Sequence, residues 1–157
     1  MSTVALFDAA RSRLAGVTRE GLGELAPPKR IFGVPRAPRI LPLGTAWHVG
    51  VLLIDDDSVR SIGDIVRAQQ EVRRGYAAES QRQRALLAAA ARRGGFADGA
   101  IVHVGWRMLD AAAVDRGEAS GPLALVDGVP GVRWSAAGGH VPLEAYLDER
   151  IALLLEP

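Results

Sequence analysis

Two short strings that nearly repeat carry the residues best suited to chemistry: HVGV at 48–51 and HVGW at 103–106. Side chains alternate along an extended chain. One strand face would then hold His48 and Gly50, and another His103, Gly105 and Arg107, with Arg133 on the outward face of a third strand. Set side by side, these faces would form a polar groove. Its imidazoles could transfer protons, its guanidinium groups could grip carboxylate or phosphate, and its glycines could let a ligand come close. His48 and His103 are therefore the candidate catalytic residues. Arg107, Arg133, Gly50 and Gly105 are the ligand-binding candidates. Acid–base work by the two histidines requires them within about 8 Å, so that one substrate can touch both.

Other chemistry is excluded by residues the chain lacks. It has no cysteine, which removes disulfides, thiolate nucleophiles and cysteine-based metal sites. Lys29 is the one lysine, and Pro28 precedes it, so no phosphate-binding GxxxxGK loop exists. GxSxG, SxxK and HExxH are absent, and GGFADG at 94–99 opens no helix. His48, His103 and His140 fall on separate elements with no close ligand pair, so neither a metal nor a cofactor is expected. Asp55, Asp56 and Asp57 lack the further spaced oxygens of a calcium loop and read as a solvated turn.

The elements that must position these residues follow from periodicity. Val4, Phe7, Leu14, Val17 and Leu25 suggest helix over 3–25, weakened in its second half by Gly16, Gly21 and Gly23. Residues 29–43 form a Pro-rich basic arm. WHVGVLLI at 47–54 reads as a strand, with Val59–Ala68 returning as its hairpin partner. A helix over Tyr76–Arg93 would end at Gly94, and 100–109 is a third strand. Asp127-Gly128 suits the turn of a hairpin over 122–134, where Pro130 calls for an edge or a bulge. A last helix starts at Pro142, with Leu143, Tyr146, Leu147, Ile151 and Leu154 as its stripe. Trp47, Trp106 and Trp134 all fall on apolar strand faces and read as core.

The expected architecture is a single α+β domain over 1–157. Its mainly antiparallel sheet of about five strands is packed by an N-terminal, a middle and a C-terminal helix. The 157 residues are 48% hydrophobic and carry net charge +1. That composition fits a soluble cytoplasmic protein, with no signal peptide and no apolar run long enough for a bilayer. Charge is uneven, at +4 over 29–54, +5 over 60–93 and −5 over 94–157. The basic middle and acidic last third could attract each other within one chain or between copies.

The order GTAWHVGVLLIDDD, ARRGGF, VHVGWR, GPLALVDG, VRW and PLEAYLDERIALLL, spread over 44–157, resembles a group of small actinobacterial proteins. Some of these bear the name glutaminase. Penicillin-binding-type glutaminases carry SxxK on a larger fold and amidotransferase glutaminases use a cysteine, and this chain has neither. The resemblance would imply a small amide hydrolase, with a water activated by His103 or His48. The residues themselves favour a non-enzymatic small-ligand-binding or protein-interaction domain that self-associates as a homo-oligomer. A nucleic-acid-binding accessory role through the arm is the third reading. The low net charge argues against it, and no membrane partner is expected.

Overall fold

The computed structural model describes residues 1–27, 30–70 and 78–157. In chain order its elements begin with α1 (Thr3–Leu14), β1 (Glu20–Leu25), β2 (Arg30–Ile31), β3 (Val34–Pro35) and β4 (Ile40–Val49). Then come β5 (Leu52–Ile54), β6 (Val59–Ser61), β7 (Asp64–Arg67), α2 (Glu79–Gly94) and β8 (Ile101–Val104). The remainder is β9 (Arg107–Leu109), α3 (Ala111–Asp115), β10 (Leu123–Val126), β11 (Val129–Val132), β12 (Val141–Pro142) and α4 (Leu143–Leu155). The class is α+β, as expected, with a mixed rather than purely antiparallel sheet. No helix among the described residues is long and apolar enough to cross a membrane.

The chain packs as two compact units. One comprises Met1–Arg19, Ala46–Ile62 and Trp106–Pro157; the other comprises Glu20–Thr45 and Gly63–Gly105. They are called here the α4 unit and the α2 unit.

In the α2 unit β1 and β8 run parallel, with Leu22 opposite His103, and β7 lies antiparallel on the other side of β8. Ile40, Val66, Ala90, Ala91, Phe96, Val102 and Val104 form its core. The alternation in EGLGEL explains why β1 is a strand and not the second half of a helix. A β-carbon on Gly21 would stand 2.8 Å from the Phe96 ring, and one on Gly23 would stand 2.4 Å from Ile40 Cγ2. These glycines keep one face of β1 flat against the core. The Pro-rich arm is also more regular than expected. It holds the short β2–β3 hairpin, and β4 has already begun at Ile40. Lys29 and Tyr76 lie outside the described residues. Helix α2 ends one residue later than expected, with Gly95 rather than Gly94 in the left-handed conformation (φ 114°).

In the α4 unit β5 pairs antiparallel with the end of β4, β6 with β5, and β9 with β6. Asp127 (φ 53°) and Gly128 (φ 78°) make the β10–β11 turn, as their types require. Pro130 sits on the central strand of β10-β11-β12, but β12 pairs only with Gly131 and Val132, so Pro130 owes it no hydrogen bond. Leu6, Phe7, Ala10 and Leu14 of α1 pack with Trp47, Val49, Leu143, Tyr146, Leu147 and Ile151.

Several expected core residues lie elsewhere. Val4, Met108, Trp134 and Leu154 are exposed. Val59–Ala68 breaks into β6 and β7, which pair with different strands. Likewise 100–109 breaks at Gly105 (φ 70°), so Met108 no longer shares a face with Val102 and Val104.

Candidate functional site: the Glu20 and His103 pair

Of the residues singled out from sequence, His103 is the one the fold places most unusually. It is 0% exposed. On β1, Glu20 and Leu22 share a face, and Leu22 is the registered neighbour of His103. Glu20 therefore lies diagonally across from the imidazole on the same face. His103 Nε2 donates to Glu20 Oε1 at 2.9 Å, and the Glu20 side chain keeps 23% of its surface exposed. The opposite face of the two strands is the one flattened by Gly21 and Gly23. The sequence places the polar pair away from the apolar core of the unit.

This arrangement is a carboxylate open to solvent on one side and backed by a fully buried imidazole on the other. Burying a polar group is tolerated when it is hydrogen-bonded. The bond also fixes the carboxylate in one orientation. Such a pair can hold a cationic or hydrogen-bond-donating group, ligate a metal, or pass a proton.

The other candidates lie on other elements. His48, half-buried on β4, donates from Nε2 to the Gly50 carbonyl oxygen at 2.9 Å. Gly50 is not inside a strand but in the β4–β5 turn, at φ 61°. The space beside it is filled: a β-carbon there would stand 1.9 Å from the Tyr146 hydroxyl. That hydroxyl accepts from the Val51 amide at 2.9 Å. Gly105 meets nothing nearer than 3.9 Å, so its backbone conformation, not a ligand, calls for glycine. Arg107 is exposed on β9, which pairs with β6 instead of continuing β8. Arg133 is exposed just past β11.

The triple-Asp turn also departs from expectation. Asp55 is no solvated residue; its side chain is 14% exposed and pairs with Arg60. Asp55 Oδ1 accepts from the Asp57 and Ser58 amides at 3.1 and 2.6 Å. Burial pushes the Asp55 carboxyl up, but the bonds from Arg60 and these amides outweigh it and hold its pKa below the ordinary value. Arg60 also stacks 4.7 Å from the Trp106 ring centroid, which gives that tryptophan a partner other than the core.

A cleft of about 370 Å³ in the α4 unit has Phe7, Val59 and Leu109 among its walls. Its polar rim is already engaged. Arg11 donates to the Asp55 and Ser58 carbonyl oxygens and to Asp8, and Asp110 caps α3 through Ala113.

Sequence reasoning missed Glu20, Asp55, Arg60 and Trp106 as interacting polar groups. The signal for Glu20 was the period-two alternation of EGLGEL. The chain matches no protein-family model, no curated protein and no solved structure.

Proposed function

We propose that the chain is a ligand-binding domain whose polar centre is Glu20, held in place by His103. The observation that carries this reading is the 2.9 Å bond between a buried imidazole and a half-open carboxylate. A fixed carboxylate with one face in water favours ligands that present positive charge or several donors. The test is titration of ¹⁵N-labelled protein with a small alkylammonium ion, reading the His103 imidazole resonances. A saturable shift that disappears in Glu20→Gln is expected. An unchanged spectrum in the wild-type chain overturns the reading.

A second reading draws on the same pair. A carboxylate and an imidazole in hydrogen-bond contact can also take a proton from water, as hydrolysis of an amide requires. Here Glu20 would be the base and His103 its positioning partner, a departure from the expectation that a histidine activates the water. Ammonia release from glutamine by the wild-type chain, lost in Glu20→Gln, supports this second reading. Equal background release by both chains removes it.

Self-association belongs to the proposal as well. Leu25, Phe32, Val34, Leu41 and Leu43 of the α2 unit are all exposed, Phe32 fully so. An apolar set of this kind supports contact with a second copy.

A further inference from the structure

We infer that Glu20 and His103 together hold a divalent first-row transition-metal ion, which deepens the ligand-binding reading and rests on it. The two facing atoms, His103 Nε2 and Glu20 Oε1, stand 2.9 Å apart. Imidazole nitrogen and carboxylate oxygen each bind such ions at about 2.0–2.1 Å. An ion at that distance from both atoms sees them at an angle of about 90°, the cis angle of an octahedral site. A hydrogen bond and a chelate therefore ask for nearly the same spacing here. The ion takes the direction of the shared proton from Nε2, and the Glu20 carboxylate, the more exposed of the two, turns aside to bind it at the cis angle.

The backbone fixes that spacing. The parallel pairing sets Gly21 opposite Val102 and Leu22 opposite His103, which fixes the diagonal between Glu20 and the imidazole. His103, wholly buried, has little rotamer freedom to lose on binding. Glu20, 23% exposed, gives the ion a route from solvent. The pair joins residues 83 positions apart in the chain. No short-range motif announces it, which is why spacing along the sequence gave no metal site.

Donor type selects the ion. One imidazole and one carboxylate suit zinc, iron, nickel or copper, whereas calcium and magnesium prefer oxygen alone. No cysteine is present to draw the ion elsewhere. Both donors must be free of protons to bind, so affinity falls as the solution is acidified. A bound ion would also give the domain a means of gripping an oxygen or nitrogen of a small ligand, which a carboxylate alone cannot do.

The experiment uses the full chain, freed of metal by a chelator that is then removed. Calorimetric titration with Zn²⁺ gives stoichiometry and affinity, and Co²⁺ added to ¹⁵N-labelled protein broadens the imidazole resonances nearest the ion. One ion per chain is expected, with loss of the His103 signals and binding at least about tenfold weaker in Glu20→Gln. That variant is isosteric at a half-open position, and its amide spectrum checks its fold. Absence of binding overturns the inference, as does binding that Glu20→Gln leaves unchanged or broadening that spares His103. The alkylammonium titration, repeated with chelator present, separates the two proposals. Ammonium binding without metal binding leaves the ligand-binding reading standing and removes the metal, whereas loss of both removes both.

Discussion

Gly94, the last residue of α2, lies so close to Ile40, the first residue of β4, that a side chain has no place between them. A β-carbon there would stand 1.6 Å from the Ile40 carbonyl oxygen. The neighbour is backbone at the start of a strand and cannot swing aside. Gly94→Ala should therefore destabilise the α2 unit by about 3 kcal/mol, the upper end of overpacking costs. Gly95→Ala meets no atom within 4 Å but holds φ 114°, so it should cost only about 1–2 kcal/mol. Urea unfolding of both variants measures the order, and a smaller loss at Gly94 would contradict the contact.

Tyr146 should matter through its hydroxyl. It accepts from the Val51 amide, and its ring is buried in the core of the α4 unit. Tyr146→Phe keeps the ring and removes the acceptor, at an expected cost of about 1 kcal/mol. Gly50→Ala should be worse, because the added carbon collides with that same hydroxyl and must adopt φ 61°. Thermal unfolding of the two single variants checks the ranking.

Acid should weaken the fold through Asp55 and Asp115. For Asp115 burial again pushes the carboxyl up, but bonds from Thr3 and the Val4 amide prevail and lower its pKa. A carboxylate whose folded pKa is depressed contributes stability that is fully present above its unfolded pKa. That contribution is lost as pH falls through the folded value. The window here lies below the ordinary carboxylate value of 3.8. Denaturant midpoints should hold above it and drop beneath it. Asp55→Asn should flatten part of that drop, and an unchanged acid profile would count against the pairing with Arg60.

Solution mass tests the self-association proposal. Light scattering should report a dimer or larger species that persists in high salt, because Leu25, Phe32, Val34, Leu41 and Leu43 expose apolar surface. Phe32→Ser with Leu41→Ser should shift it to monomer. A species that dissociates in salt would instead point to the uneven charge along the chain, and a monomer under both conditions would end the proposal.

What could be read from the chain was local. Asp127-Gly128 dictates its own turn, and Leu143, Tyr146, Leu147 and Ile151 mark a helical stripe that is buried as expected. What could not be read depends on partners far away in sequence. Gly21 and Gly23 look like helix breakers until Phe96, Ile40 and Val102 are seen pressing on β1. The string HVGW looks like one strand until Gly105 turns it, sending Arg107 to pair with Ser61. His103 was recognised as a candidate by residue type. Its partner Glu20 was not, because strand register follows from packing over 83 residues.

Asp115, from α3, accepts from the Thr3 amide at 2.7 Å and the Val4 amide at 3.2 Å, and so closes the N-terminal end of α1. On the ribosome, this cap does not exist when α1 emerges. The helix must wait for more than a hundred further residues, with Leu6, Phe7 and Leu14 lacking most of the core they will join. Residues 20–45 and 63–105 are all synthesised before Asp115. The α2 unit can therefore gather its strands while α1 has only its local Ser2 cap, and α1 is among the last of these elements to be secured.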